Sequence, residues 1–225
     1  MQPTPFSGPT VSSYADSARR QVPGLVDLHR MTTMLLAERM PANGRVLVLG
    51  AGGGLELAAL AEAQPGWSFD GVDPSADMLQ VAEGAVRPYA PRVTLHQGYV
   101  ESAPDGPFDA ATSILVFHFI AREQRLETLR QLRRRLRPGA PLVLAHISFA
   151  QTEPARSEWI ARHVAWGAPA ATDPDQLERS RQAIGSRLTI LAPEEEAAML
   201  AEAGFADVAL FYAALSFRGW VAYAA

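Results

Sequence analysis

The chain has 225 residues, of which 48% are hydrophobic and 20% are charged, and this suits one α/β domain with room for a cap. Its net charge of −4 gives no basic footprint for nucleic acid or for an anionic membrane surface. The chain contains no cysteine, which excludes disulfides, thiolate chemistry and cysteine-bound zinc. It also contains no lysine, which excludes a Schiff-base lysine and the lysine of a P-loop.

The first forty residues are predicted to form a tail and a helical cap. Residues 1–12 are rich in Pro, Ser and Thr, which predicts a loose tail. Residues 14–40 are predicted to be helical with a Pro-Gly interruption, and their apolar positions share one face. We expect that face to pack against the domain. The alternative is that Tyr14, His29 or Met31 closes over a ligand.

A glycine-rich loop follows the first predicted strand. Residues 46–49 are apolar without interruption, which is typical of a strand buried on both faces of a parallel sheet. Gly50, Gly52 and Gly54 break this strand, and residues 55–64 are predicted to form a helix. Glycine lets the backbone come close to a ligand, and the helix N-terminus offers free N–H groups. The unit therefore predicts a ligand-binding edge.

An acid follows at the end of the second predicted strand. This strand spans residues 67–73 and ends in Asp73, and Ser75 is predicted to cap a helix over residues 76–86. A carboxylate at the carboxyl end of the neighbouring strand is placed to accept hydrogen bonds from both ribose hydroxyls. The loop and the acid together predict a nucleoside ligand.

Strands and helices continue to alternate through the middle of the chain. Three further strands are predicted at 92–98, 108–116 and 142–147, with an amphipathic helix at 123–137 before the last of them. We expect this helix to turn its arginines to solvent rather than to RNA, because no aromatic residues are interleaved among them. These arginines are Arg130, Arg133, Arg134, Arg135 and Arg137.

An insertion precedes the C-terminal elements. Residues 148–190 contain two tryptophans, a Pro/Ala-rich bend and a polar helical stretch, and insertions after a fifth strand lie over the ligand crevice. We therefore predict a lid or substrate-selecting cap. Residues 194–203 are predicted to form the last helix, and strands at 208–212 and 217–223 a hairpin that places one strand antiparallel in the sheet.

Three ordered motifs resemble those of the class I S-adenosylmethionine (SAM) methyltransferases. They are VLVLGAGGGLE at 46–56, GVDPSADML at 71–79 and LRPGAPLVL at 136–144. Two positions depart from the family pattern, because Val48 and Tyr99 stand where members often carry acids. The resemblance implies a Rossmann-like sheet of seven strands, mostly parallel with an antiparallel last strand, helices on both faces and a small helical cap. It also implies a domain over residues 41–225.

The resemblance further implies SAM as cofactor and S-adenosylhomocysteine as product. The backbone of the glycine loop should face the methionine part of the cofactor, Asp73 its ribose, and residues near the third and fourth strands its adenine. The implied cofactor-binding residues are Gly50, Ala51, Gly52, Asp73, Pro74, Met78, Tyr99, Val100 and Leu115.

Fragments of the chain resemble a narrower family, the carboxy-S-adenosylmethionine synthases. These fragments are YAD at 14–16, RQVPG at 20–24, MLLAER at 34–39, Ser180-Arg181 and the segment from 203 to 217. Members of that family transfer a carboxyl-derived unit from prephenate onto the SAM methyl group. A cap arginine holds the added carboxylate there, and it corresponds to Arg181 here.

Methyl transfer from a sulfonium is an in-line displacement, so positioning can supply most of the acceleration. A general base is needed only when the acceptor is protonated at neutral pH. His118 is the best candidate for such a base, because it follows the fourth strand at the ligand edge. Tyr14, His146 and Arg181 are candidate substrate contacts. No histidine shows metal-ligand spacing with nearby acids, so no metal is predicted.

The sequence thus predicts a SAM-dependent methyltransferase that acts on a small molecule. The alternatives are a carboxy-SAM synthase-like enzyme and a SAM-binding protein without activity. We expect a cytoplasmic protein, possible homodimerisation, and no nucleic acid or membrane partner, since no apolar run approaches membrane length.

Overall fold

The structure is a computed structural model that describes residues 14–225, and the side chains from Ala15 onward. The predicted tail at residues 1–12 and the side chain of Tyr14 therefore lie outside the described part. The strands are β1 (Arg45–Leu49), β2 (Ser68–Asp73), β3 (Val93–Gln97), β4 (Ala110–Ile114), β5 (Pro141–Ile147), β6 (Phe205–Ala214) and β7 (Phe217–Ala224). The helices are α1 (Tyr14–Gln21), α2 (Leu25–Ala37), α3 (Leu55–Ala63), α4 (Ala76–Ala85), α5 (Arg122–Arg135), α6 (Ala155–Gly167), α7 (Pro174–Arg187) and α8 (Pro193–Glu202).

The seven strands form one sheet in the order β3-β2-β1-β4-β5-β7-β6. The pairs among β1 to β5 are parallel, whereas β7 is antiparallel to both β5 and β6. This confirms the predicted Rossmann-like sheet with an antiparallel last strand. The strand order reverses at β1, which has β2 on one side and β4 on the other. In such sheets a ligand binds in the crevice outside the carboxyl ends at this reversal.

Helices cover both faces of the sheet, as the fully buried central strands require. One face packs against α5 and α8 through Leu129, Leu132 and Leu200. The other face packs against α2, α3 and α4, whose core residues include Leu57 and Leu79. The sheet is therefore a buried platform whose carboxyl edge carries the loops.

A third apolar cluster joins the cap helices to the sheet edge. Leu25 and Leu28 of the N-terminal helices meet Ile114, Phe149 and Ile160 there. Helix α6 packs on both α1 and α7, so the N-terminal helices and the inserted segment lie together. None of the helices in the described part of the chain is long and apolar enough to cross a membrane.

The prediction that the arginines of α5 face solvent was wrong for Arg135. Arg135 is only 7% exposed, and its Nη1 donates to the Gln131 carbonyl at 3.1 Å and to Gln131 Oε1 at 2.7 Å. Arg134 and Arg137 are exposed, as expected. Long arginine stems can cover apolar surface, and in Arg135 the head group is buried as well because its own helix supplies two acceptors.

Candidate active site

Asp73 ties together the loops at the carboxyl edge of the sheet. Its Oδ2 accepts a hydrogen bond from Gly52 N at 2.8 Å, and its Oδ1 accepts one from Ser75 N at 2.9 Å. Burial raises the pKa of this carboxyl, and the two backbone N–H donors partly offset the rise. A carboxylate has about four acceptor sites, so two remain for further donors.

The glycine loop turns back against β2. Gly50 N and Ala51 N both donate to the Val72 carbonyl, at 2.8 and 2.9 Å. Gly50 has a φ of 82°, and a Cβ there would lie 2.0 Å from Val116 Cγ2. No other residue type fits this position, because both the left-handed backbone and the close approach require glycine.

The first turn of α4 is fixed next to Asp73. Ser75 caps this helix as predicted, its Oγ accepting from Met78 N at 3.2 Å. Met78 is 2% exposed. Pro74, which lies between the acid and the cap, is half-buried.

Two further predicted cofactor contacts follow β3. Gly98 N donates to the Asp73 carbonyl at 3.0 Å, which holds the end of β3 beside the acid. Tyr99 then lies 68% exposed at this edge, whereas Val100 is buried. An exposed aromatic ring beside a buried acid gives a flat apolar surface on which a base can stack.

A small cavity of about 20 Å³ lies on the other side of the glycine loop, beneath α1 and α2. Its walls include Gly50, Ala51, Leu115, His29 and Glu56. Leu115 has a φ of 65°, an uncommon conformation for a residue with a branched side chain, and such strain clusters at ligand sites. The predicted residues of the glycine loop and of the end of β4 are thus brought together around this cavity.

The two candidate histidines, His118 and His146, are buried in the domain. His118 is 5% exposed, and Ile147 N approaches its Nδ1 at 3.5 Å. Burial, with contributions from His146, His163 and Arg125, lowers the pKa of His118 well below its usual range. Neither His118 nor His146 lines the cavity. The roles of His118 as a base and of His146 as a substrate contact stay predictions.

His146 belongs to a buried charged network instead. Its Nε2 lies 2.8 Å from Glu196 Oε1, and Arg125 donates to the same oxygen. Arg125 also donates to the carbonyls of Ile120 and Thr189. The network therefore joins α5, α8 and β5 to the end of the cap segment.

Arg181 lies on α7 and is paired with a neighbour. Its Nη1 is 3.3 Å from Glu178 Oε2, and both side chains are about half exposed. It does not line the cavity beside the glycine loop. Its role as a substrate contact stays a prediction, as does that of Tyr14.

Sequence reasoning missed Glu56, which is 6% exposed in the first turn of α3. Burial raises its pKa to about 7, with the Thr112 side chain partly offsetting the rise. The signal was present in the spacing, because Glu56 lies four residues before Leu60 and so shares the apolar face of the helix. Among the described residues, no cluster of acids and histidines is arranged to hold a metal ion.

Comparison with known proteins supports the family suggested by the sequence motifs. Residues 46–139 match the model of a methyltransferase domain family. This match, together with the fold, supports a place for the chain in the class I SAM-dependent methyltransferase superfamily. A methyltransferase domain agrees with the SAM cofactor and the S-adenosylhomocysteine product that the sequence leads us to expect. The chain is accordingly an enzyme, which disfavours the alternative of an inactive SAM-binding protein.

Relatives span most of the chain at low identity. The carboxy-SAM synthase of Campylobacter fetus is 20% identical over 221 residues, which cover 97% of this chain and 93% of the relative. Human N-acetylserotonin methyltransferase, solved with SAM, aligns with a TM-score of 0.59 and 14% identity over 97% of this methyltransferase. A Haemonchus contortus N-methyltransferase, solved with phosphomonomethylethanolamine and S-adenosylhomocysteine, aligns with a TM-score of 0.68 and 19% identity over 92% of it. This chain spans 60% and 44% of those two enzymes.

Proposed function

We propose that this enzyme transfers the methyl group of SAM to a small-molecule acceptor. The observation that carries the proposal is the hydrogen-bonded pair of Asp73 and the Gly52 backbone at the strand-order reversal, with a cap over the same edge. SAM supplies a methyl group already activated on a sulfonium. The chain's own task is then to hold the cofactor and the acceptor in line.

The residues at the edge divide that task. The two free acceptor sites of Asp73 suit the ribose hydroxyls, and Tyr99 offers a face for the adenine. Gly50 and Ala51 let the methionine part lie against the backbone, and Leu115 bounds the opposite wall.

A second cavity, of about 330 Å³, supports a small acceptor. It lies between α1, α6 and α7, and its walls combine apolar residues with Gln21, His163, Gln176 and Ser180. This volume falls at the lower end of the range for small-ligand pockets. Helix α1 borders both cavities, through Ala18 on the cofactor side and Gln21 one turn later. We propose this second cavity as the acceptor site.

The second candidate function is synthesis of carboxy-SAM. The full-length likeness to the Campylobacter fetus synthase favours it. The pairing of Arg181 with Glu178, away from the cofactor cavity, does not support it. We therefore keep methyl transfer as the leading proposal.

Labelled SAM tests the acceptor class. The enzyme is incubated with methyl-labelled SAM and a cell extract separated by filtration into small molecules and macromolecules. We expect label in the small-molecule fraction only, and at SAM concentrations near the wild-type Kd much less of it with the Asp73→Ala variant as control. Label confined to protein or nucleic acid would contradict the proposal.

We also propose that the enzyme acts in the cytoplasm, without nucleic acid or membrane partners and with possible homodimerisation. These proposals rest on the sequence expectations given above. Cell fractionation and sedimentation of the purified enzyme test them.

A further inference from the structure

Glu56 is a buried acid at the edge of the glycine loop, and no charged side chain in the described part of the chain pairs with it. It stands in the first turn of α3, its side chain lines the small cavity beside the glycine loop, and its Oε1 has no hydrogen-bond partner. Buried carboxylates are almost always paired, since an unpaired one is costly. An orphaned carboxylate oxygen at the wall of a cavity points to a missing donor.

Among the residues that the structure describes, none that lines the cavity supplies a cation to Glu56. The Thr112 hydroxyl is close enough to favour the charged form, yet no hydrogen bond of good geometry joins the two, and Thr112 Oγ1 also lacks a partner. His29 faces the cavity from α2, and burial, with Arg19, lowers its pKa to about 4, so it is neutral at pH 7. The described residues that line the cavity thus offer the unsatisfied Glu56 Oε1 no positive charge.

The strand order indicates which part of the cofactor reaches this cavity. Asp73 marks the ribose position at the end of β2, and the glycine loop follows β1 next to it. Glu56 lies beyond the loop, beside Thr112 and Leu115 on the β4 side. A ligand with its ribose at Asp73 that crosses the loop therefore presents its amino-acid end to Glu56.

The size of the cavity fits one polar head group. Its volume of about 20 Å³ admits a group the size of one water molecule. An ammonium group is of that size and carries three N–H donors. It would satisfy Glu56 Oε1, and its charge would balance the carboxylate.

We propose that Glu56 binds the α-ammonium group of SAM. This inference rests on the proposed function, because it takes the ribose position from Asp73. It assigns to a side chain of α3 a recognition role that the glycine loop alone, which offers backbone groups, does not provide. Glu56 would select ligands that keep the amino group over nucleosides that lack it.

Titration calorimetry with two ligands tests this proposal. The ligands are SAM and 5′-methylthioadenosine, which keeps the nucleoside and the sulfur but lacks the amino-acid group. We expect Glu56→Gln to weaken SAM binding by about 10- to 100-fold, as for loss of a charged hydrogen bond, and to leave methylthioadenosine unaffected. Glu62→Gln is the matched control, since Glu62 lies on the exposed side of the same helix.

Proton release in the wild-type enzyme gives a second readout that needs no variant. At pH 6.5 Glu56, with a pKa of about 7, is mostly protonated, so pairing with an ammonium should release most of one proton. Calorimetry in two buffers of different ionisation enthalpy measures this release. The other titratable groups facing this edge are His29, already neutral, and Asp73, which methylthioadenosine also engages. Release should therefore occur with SAM and be largely absent with methylthioadenosine.

The outcomes separate this inference from the proposed function. If the wild-type enzyme binds neither ligand, the proposed function fails. If it binds both but Glu56→Gln leaves SAM affinity unchanged, or weakens both ligands equally, the Glu56 inference is overturned and the function stands. The absence of SAM-linked proton release from the wild-type enzyme would also overturn it.

Discussion

Replacing Arg125 by Met should cost the enzyme much of its stability. Arg125 is fully buried, and its guanidinium donates to the carboxylate of Glu196, which is 1% exposed. The substitution keeps an unbranched, though shorter, side chain and removes the charge. It leaves Glu196 with His146 as its one remaining side-chain partner among the described residues. Breaking one side of a buried pair typically costs about 3–5 kcal/mol, because the other charge stays uncompensated.

The matched control is Arg130→Met on the same helix. Arg130 also faces a glutamate of α8, Glu202, but at 3.6 Å and with side-chain exposures of 43% and 63%. Exposed pairs of this kind contribute about 0–1 kcal/mol. Thermal unfolding should therefore show a drop of about 6–20 °C for Arg125→Met and of at most a few degrees for the control, at about 2–4 °C per kcal/mol for a chain of this size.

The pH dependence supplies a second test of the same pair. Burial alone would raise the pKa of Glu196, but His146 and Arg125 together hold it below its ordinary value. A depressed folded pKa gives stability that is present above the unfolded pKa and is lost as the pH falls through the folded one. This acid-linked loss should be smaller in Arg125→Met. Equal unfolding temperatures for Arg125→Met and Arg130→Met would refute the reasoning.

Three further predictions concern the site. Gly52→Val should abolish SAM binding while the circular dichroism spectrum stays that of the wild type. Gly52 has a φ of 50°, and a branched side chain there would fill the space of the ligand. Normal SAM affinity in this variant would show that the ligand does not lie against this loop. The wild-type enzyme should bind SAM and carboxy-SAM equally, and Arg181→Ala should not alter the ratio of the two binding constants. A wild-type preference for carboxy-SAM that is lost in Arg181→Ala would favour the synthase function. The pKa of Glu56 is about 7 in the folded state and 4.5 in the unfolded state. The free energy of unfolding of the cofactor-free enzyme should therefore fall by up to about 3 kcal/mol as the pH rises between these two values. Urea denaturation of Glu56→Gln should show no such fall.

Most of the fold follows from local patterns in the sequence. The uninterrupted apolar runs of the central strands, the glycine loop and the Ser75 cap each depend on neighbouring residues, so each predicted element has a counterpart in the structure. The bounds of the strand near the end of the chain were predicted less accurately. Strand β6 runs from 205 to 214 rather than 208 to 212, because register shifts near Ala206 and Leu210 interrupt the alternation by which a strand is recognised.

The charged groups of the interior could not be predicted in the same way. Arg125 meets Glu196 across 71 positions of the chain, and each residue by itself resembles a surface charge on an amphipathic helix. Asp73 was predictable because its role follows from its place at a strand end. The burial of Glu56 could be recognised only in the folded structure, since only the packing of α2 and β4 against α3 shows that its carboxylate is enclosed.

The affinity for SAM of the wild-type enzyme and of Asp73→Ala tests the central claim most directly. Asp73 accepts two backbone hydrogen bonds and, in our account, the ribose hydroxyls as well. Titration calorimetry should show tight binding to the wild-type enzyme and a loss of about 1.5–3 kcal/mol in Asp73→Ala, which is about 10- to 150-fold. Asp77→Ala, at an exposed acid in the first turn of α4, should leave the affinity unchanged. Unchanged affinity in a folded Asp73→Ala variant would contradict the account.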